Sequence, residues 1–147
     1  MDLPENSEEI AVEVLHNDYV TITWFKADSL ILLKWLRQID FDERKETFLW
    51  AYQFSIDNQV KNWLIDDEEI YIITTAEREW IESEWTKIVA GSGIAKIAVY
   101  IPASFYSGLI TLTDFTQNAQ NNYKLFGTTE HEVFTDYETA LTWLKSK

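Results

Sequence analysis

The stretch Asn62-Trp63-Leu64-Ile65-Asp66-Asp67-Glu68-Glu69 decides the fold of this chain. A short apolar run ends abruptly in four consecutive acids, and a helix is predicted to begin a few residues later, at Thr74-Thr75. This pattern is typical of a buried strand whose carboxyl end opens toward solvent, which is where open α/β sheets usually place their sites. The stretch therefore predicts an α/β fold and marks the sheet edge at which a site is expected.

Three short strands are predicted before this stretch. Apolar and polar residues alternate over residues 10–15 and 19–25, and residues 30–36 are apolar on both faces except for Lys34. Because short turns separate these strands, they predict an antiparallel meander. Residues 1–9 are acidic and poor in apolar side chains, which predicts a flexible N-terminus. Residues 10–147 are then expected to form a single domain.

From residue 40 onward the apolar spacing becomes that of helices alternating with strands. Helices are predicted over about residues 42–57, from Thr74 to about 90, over about 113–126, and after a cap formed by Thr135 and Glu138. The strands between them are predicted at residues 61–66, 94–101 and 131–135. Strands separated by helices imply parallel neighbours with right-handed crossovers. The predicted fold is therefore α/β, with a mixed β-sheet in which an N-terminal antiparallel meander is followed by βα units.

The composition excludes several function classes. The chain has 12 basic against 25 acidic residues, a net charge of −13, so it should repel nucleic-acid phosphates and anionic membrane surfaces. It contains no cysteine, which removes thiolate nucleophiles and cysteine-based zinc sites. No run approaches the ~18 apolar residues that span a bilayer, and no signal-peptide pattern is present. A cytoplasmic protein without membrane insertion is expected.

Four segments carry a family resemblance: KNWLIDDEEI at 61–70, EWIESEW at 79–85, KIAVYIP at 96–102 and VFTDYETALTWLKS at 133–146. With the preceding meander, they resemble the STAS-like, SpoIIAA-like domains, in particular a small stand-alone bacterial branch described as STAS/SEC14-like and functionally uncharacterised. The resemblance covers about residues 10–147. It implies a non-enzymatic domain that acts through protein–protein contact or regulation, as a homo-oligomer or with another protein partner.

The resemblance also implies a regulatory position. In the anti-sigma-factor antagonists of this family, the loop after the equivalent strand ends in Asp-Ser-Ser-Gly, and one serine is phosphorylated at the start of the helix. The two hydroxyls fall on Thr74 and Thr75 of this chain, but Ile73 and Ala76 stand where the family has Asp and Gly. Thr is also a preferred N-cap, and Glu77 completes the pattern of a capping box. Helix capping is thus the first expectation for Thr74 and Thr75, and a phosphorylation switch is the alternative.

The high aromatic content, 15% of the residues, has two interpretations. Most of these side chains should fill the core. Some are expected to line a ligand pocket or an interface instead, and the candidates are Trp24, Trp35, Trp50, Phe105 and Tyr106. An apolar cavity beneath residues 103–115 would indicate a second function, that of a small-molecule or lipid-binding module of the SEC14-like type with a small apolar ligand.

A third hypothesis is a metal-dependent enzyme that uses the strand end at Asp66 and Asp67, since hard cations bind carboxylate oxygens. Adjacent acids on an extended chain point to opposite faces, however, and four sequential acids more often form a solvated loop. His16 and His131 lack the spacing of metal ligands and are expected to lie on the surface. No catalytic constellation is recognisable, and no cofactor is expected.

Overall fold

The computed structural model describes residues 11–106 and 113–146, and these residues form one mixed sheet with helices on both faces. The strands are β1 (Ala11–His16), β2 (Val20–Phe25), β3 (Leu30–Trp35), β4 (Asn62–Asp66), β5 (Lys96–Tyr100) and β6 (Glu130–Phe134). The helices are α1 (Phe41–Asn58), α2 (Thr75–Trp80), α3 (Thr86–Ala90), α4 (Ala103–Tyr106), α5 (Thr113–Phe126) and α6 (Tyr137–Lys145). Phe105, Tyr106 and Thr113 are described in their backbone only. None of the described helices has the length and apolar character needed to cross a membrane.

The strand order in the sheet is the order in the chain, from β1 to β6. β1, β2 and β3 pair antiparallel, whereas β3, β4, β5 and β6 pair parallel. β4, β5 and β6 each follow a helical crossover, as the alternation of spacing predicted. The predicted fold class, a meander followed by βα units in one mixed sheet, is confirmed.

Capping residues set the helix starts. The side chain of Asp40 accepts a hydrogen bond from the backbone N–H of Glu43 at 2.8 Å, and the Glu43 carboxylate accepts one from the backbone N–H of Asp40 at 3.0 Å. This capping box begins α1. At α6 the predicted cap is wrong by one residue. The carboxylate of Asp136, and not Thr135, accepts the backbone N–H of Thr139 at 2.8 Å. A carboxylate is as good an N-cap as a hydroxyl, so the sequence offered two adjacent candidates.

The helix predicted from Thr74 to residue 90 is interrupted by a π-helical turn. α2 and α3 are joined by the π-helical segment Ile81–Trp85. A π turn places residues five apart on one face, and the rings of Trp80 and Trp85 accordingly stack at a centroid distance of 5.9 Å. The turn directs Trp85 into the core, where its ring also lies 4.9 Å from that of Phe48.

The two sheet faces are covered unequally. One face carries the main core, where side chains of β2 to β5 pack against α1, the π-helical segment, α3 and α5. The other face packs Leu30, Leu64 and Ala98 against Ala140 and Leu144 of the short helix α6. Because side chains alternate along each strand, the two acids at the end of β4 are assigned to different faces.

A cavity with a polar end

A cavity of about 300 Å³ lies between the main face of the sheet and α5. This volume is at the lower end of the range of small-molecule pockets, ~300–1,000 Å³. Its walls come from β4 to β6, α1, the π-helical segment and α5. The apolar lining consists of Phe48, Ile65, Ile73, Ile81, Trp85, Ile97, Val99, Ile101, Phe115, Ala119, Tyr123 and Val133.

Residue spacing and residue size produce the cavity. Ile65, Val99 and Val133 occupy one row across the parallel strands, because they are register partners. Opposite that row, Phe115 and Ala119 lie one helical turn apart on the same face of α5. Ala119 is nearly fully buried, and its methyl side chain leaves the space that a larger residue would occupy.

A buried ion pair stands at one end of the cavity. Nε of Arg44 on α1 donates to Oε2 of Glu77 on α2 at 2.8 Å, and both side chains are almost completely excluded from solvent. The guanidinium also lies over the rings of Trp35 and Phe48, at 5.6 and 5.9 Å from their centroids. Its Nη2 has no hydrogen-bond partner among the described residues. Arg44 is therefore fixed in position with one donor group unused.

Asp67 adds a second unused polar atom at the same end. The residue is only 7% exposed, and its Oδ1 has no hydrogen-bond partner among the described residues. Burial raises the pKa of Asp67 to about 6, and the attraction of Arg44 offsets only part of that effect. The indole N–H of Trp35 also favours the charged carboxylate, although it lies outside hydrogen-bonding geometry. Both Asp67 and Arg44 line the cavity.

Two of the four acids at the end of β4, Asp66 and Asp67, are buried and do not belong to the solvated loop that was expected, whereas Glu68 is exposed. Asp66 is 4% exposed, and its Oδ2 accepts Nζ of Lys34 at 3.3 Å. Lys34 is the register partner of Asp66 on β3, which accounts for the one charged residue in that strand. The side chains of Asp66 and Asp67 thus belong to opposite faces, as their adjacency predicted. In the described part of the chain, no three His, Asp or Glu side chains are grouped so that they could hold a metal ion.

His131 is also placed differently from expectation, because it lines the cavity. Its ring stacks on that of Tyr123 at 5.3 Å, and its Nδ1 is buried without a hydrogen-bond partner among the described residues. Burial lowers the pKa of His131 to about 4, so the imidazole is neutral at pH 7. His16, by contrast, is exposed and lies 3.1 Å from Oε1 of Glu13.

Of the aromatic residues predicted to line a pocket or an interface, the structure places Trp35 apart from Trp24 and Trp50. Trp35 is fully buried in the main core beside Arg44, so it takes no part in a surface cluster. Trp24 and Trp50 are brought together by Phe54, which stacks on Trp50 at 5.5 Å and meets Trp24 edge-on at 5.2 Å. Phe105 and Tyr106 belong to α4, and their side chains lie outside the described residues.

Thr74 is the N-cap of α2, while Thr75 is its first residue. Oγ1 of Thr74 accepts the backbone N–H of Glu77 at 3.2 Å and donates to Oε1 of the same residue at 3.0 Å. The backbone N–H of Thr74 donates to that oxygen at 2.8 Å. Glu77 therefore joins the helix cap to the Arg44 ion pair, and the cap helps to hold the polar end of the cavity.

Thr74→Ala is expected to lower the free energy of unfolding by about 1 kcal/mol, the usual cost of removing an N-cap hydroxyl. Thr75→Ala is the matched control, since it removes the same atoms one residue later and leaves the capping box intact. Urea unfolding followed by tryptophan fluorescence would measure both. Equal losses in the two variants would contradict the capping role of Thr74.

Sequence reasoning missed Arg44 and Glu77 as a pair, and His131 as a cavity residue. A signal for Arg44 was present: it lies three residues after Phe41 and four before Phe48, on the apolar stripe of α1. A charged residue on such a stripe requires a buried partner. Nothing in the local sequence of Glu77 distinguished that partner from an ordinary capping residue.

No protein-family model matches the chain, and no curated protein sequence matches it. In structure, the chain is similar to an uncharacterised protein of the DUF3478 family from Shewanella loihica PV-4, whose crystal structure has a SpoIIAA-like fold. The two share 15% identity with a TM-score of 0.47, over 89% of this chain and 98% of that chain. The likeness concerns the fold alone.

Proposed function

We propose that this protein binds a small, largely apolar molecule in the cavity between the sheet and α5. The observation that carries the proposal is a cavity with unused polar atoms at one end, Nη2 of Arg44 and Oδ1 of Asp67. Cores that serve stability alone are packed to high density, and their buried polar groups are hydrogen-bonded. A bound molecule would fill the space and satisfy both atoms.

The size of the cavity supports a compact ligand. A volume of about 300 Å³ equals that of roughly ten water molecules at ~30 Å³ each. A molecule with one short chain or one or two rings fits this space, whereas a lipid with two long acyl chains does not. Of the SEC14-like alternatives, the cavity therefore favours a small molecule over a membrane lipid.

Filling the cavity tests the proposal. Ala119→Phe is expected to lower the affinity for a neutral apolar probe, N-phenyl-1-naphthylamine, by at least tenfold, because the new ring occupies the probe's space. Asn121→Phe, which adds the same side chain at an exposed position of α5, should bind the probe as the parent does. Fluorescence titration measures both affinities. Unchanged binding by Ala119→Phe, or an absence of probe binding by the parent chain, would count against a ligand-binding cavity.

A surface aromatic patch favours a second candidate function, self-association. The patch consists of Trp24, Trp50 and Phe54, and Trp50 is 38% exposed although it is a large aromatic side chain. Large exposed aromatics are enriched at interfaces, where they contribute much of the binding energy. We propose this patch as the contact through which copies of the chain would associate.

Trp50→Ala is expected to shift the chain toward the monomer in sedimentation velocity, since it removes the most exposed ring of the patch. Tyr71→Ala is the control, because it truncates another exposed aromatic far from the patch in sequence. A parent chain that sediments as a strict monomer at high concentration would remove this second candidate.

A further inference from the structure

The hydrogen-bonding groups and charges at the polar end of the cavity define the ligand's head group, provided that the proposed ligand-binding function holds. We infer that the ligand carries an uncharged head group that both donates and accepts hydrogen bonds, such as a primary amide or a hydroxyl. The rest of the molecule is apolar. Three features of the described residues support this inference: the unused donor of Arg44, the unused acceptor of Asp67, and the balance of charges around them.

Arg44 supplies a donor in a fixed position. Its Nε is occupied by Glu77 at 2.8 Å, and its guanidinium is held over the ring of Trp35 at 5.6 Å. Arg44 is one of the residues that line the cavity, and its Nη2 is buried with no partner among the described residues. An unpaired buried donor is unfavourable by roughly 1–3 kcal/mol, so a ligand oxygen that accepts this N–H gains binding energy.

Asp67 supplies an acceptor at the same end. Its Oδ1 is buried and unpartnered. Asp67 comes two residues after Ile65, so both side chains lie on the sheet face that lines the cavity. Lys34 and Asp66 are register partners on β3 and β4. Trp35 follows Lys34 and Asp67 follows Asp66, so Trp35 and Asp67 lie side by side. The acceptor and the donor thus lie next to the same indole ring.

The charges at this end disfavour a charged head group of either sign. Arg44 is the only cation that lines the described cavity, and Glu77 already neutralises it. A carboxylate or phosphate would approach two acids, Asp67 and Glu77, without a free cation to compensate. An ammonium could donate to Asp67, but it has no acceptor for Nη2 of Arg44 and would leave that buried donor unpaired. Burying an additional uncompensated charge is costly, whereas an amide or hydroxyl pairs both unused atoms and adds no charge.

The charged lining residue at the far end of the cavity is Glu132, and its side chain is assigned to the opposite sheet face because its register partner Ala98 packs against α6. His131 lies four residues along the parallel register from the Asp67 row, since Trp63, Ile97 and His131 form one row across the sheet. That separation is about 13 Å along the strands at ~3.3 Å per residue. His131 is neutral, and the space between the two ends is lined mainly by apolar side chains, together with the uncharged polar residues Thr116, Gln117 and Gln120. A ligand that extends from Asp67 toward His131 therefore meets a mainly apolar and uncharged wall beyond its head group.

A matched series of eight-carbon probes tests the head group. Octanamide, 1-octanol, octanoate and octylamine share one apolar chain and differ only in the polar end. Each would compete against N-phenyl-1-naphthylamine bound to the full chain at pH 7.5. Octanamide and 1-octanol should displace the probe at concentrations at least tenfold lower than octanoate and octylamine. Asp67→Leu should weaken octanamide at least tenfold more than it weakens N-phenyl-1-naphthylamine, because only octanamide has a group that can donate to the lost carboxylate.

The outcomes separate this inference from the proposed function. Octanoate or octylamine competing as well as octanamide would overturn the uncharged head group and leave the ligand-binding cavity standing. The same conclusion would follow if N-phenyl-1-naphthylamine bound and none of the four competed, or if Asp67→Leu weakened both probes equally. If neither N-phenyl-1-naphthylamine nor any of the four bound, the proposed function itself would fail.

Discussion

Glu77→Met is expected to lower the free energy of unfolding by about 3–5 kcal/mol, the typical loss when one partner of a buried ion pair is removed. The variant leaves the guanidinium of Arg44 buried, with its 2.8 Å partner gone and its Nη2 already unpaired. It also removes the carboxylate that accepts hydrogen bonds from the backbone N–H and the hydroxyl of Thr74 at the start of α2. Two stabilising contacts are therefore lost through one side chain.

A double-mutant cycle isolates the ion pair. Arg44→Met should also be strongly destabilising, because it leaves Glu77 charged and buried. The double variant Arg44→Met with Glu77→Met should lose much less than the sum of the two, since apolar residues of similar volume often replace a buried pair at little cost. Urea unfolding of the four proteins measures the coupling, and the Thr74→Ala value corrects for the helix cap. Additive single-variant losses would show that Arg44 and Glu77 do not depend on each other.

The order of elements could be predicted because it depends on local periodicity. Residues 30–36 and 61–66 are too short and too apolar to be surface helices, and the spacing around Phe41, Phe48 and Tyr52 is helical. The capping box of Thr74 and Glu77 marked the start of α2 in the sequence, and the structure contains both of its hydrogen bonds. These signals act within about ten residues, so one sequence is enough to recognise them.

The polar end of the cavity could not be predicted because its contacts join distant parts of the chain. Arg44 meets Glu77 across 33 residues, and Lys34 meets Asp66 across 32. Lys34 is the only charged residue in an otherwise apolar strand, but the parallel register that places it opposite Asp66 depends on the fold. The expectation of a solvated acidic loop failed for that reason: Asp66 is paired with Lys34 from β3, and the charged form of Asp67 is stabilised in part by Arg44 from α1.

The cavity could not be predicted from the sequence, because its volume depends on how side chains from distant parts of the chain pack together. The helical stripe of α5 could be recognised, yet the same stripe describes a helix that packs tightly. Whether the short side chain of Ala119 is compensated by a larger neighbour is decided by residues from β5, β6 and the π-helical segment. His131 was expected on the surface because polar residues usually lie there, and its stacking on Tyr123 was not recognisable.

Asp67→Asn is expected to raise the stability of the ligand-free chain by about 3 kcal/mol at pH 7.5 and to change it little at pH 4. Burial raises the pKa of Asp67 from 3.8 to about 6 in the folded chain. The folded state therefore binds more protons than the unfolded state between pH 4 and 6, and the contribution of Asp67 to stability falls as the pH rises through this window. Above pH 6, the folded parent contains a buried, charged carboxylate that destabilises it. Asn is neutral at every pH, so the variant lacks this loss of stability.

The groups that face Asp67 determine the size of this effect. Arg44 from α1 and the indole of Trp35 from β3 favour the charged form, whereas Asp66 on β4 and Glu77 on α2 oppose it. The measurement is the difference in unfolding free energy between Asp67→Asn and the parent, followed from pH 4 to 8. The contributions of the other titrating groups are common to both proteins and cancel in this difference. Asp66→Asn provides a control of opposite sign, because it removes the negative charge that faces Lys34 at 3.3 Å and should destabilise at pH 7.5.

A difference between Asp67→Asn and the parent that stays constant from pH 4 to 8 would contradict a titrating, destabilising carboxylate. If the difference grows with pH as expected, Asp67 weakens the fold that contains it. Residues that lower stability where a neutral isostere would not are characteristic of functional sites, since selection for stability alone would replace them. Asp67 would then be retained for what its unused oxygen can bind, and the cavity at which it lies offers the space for that partner.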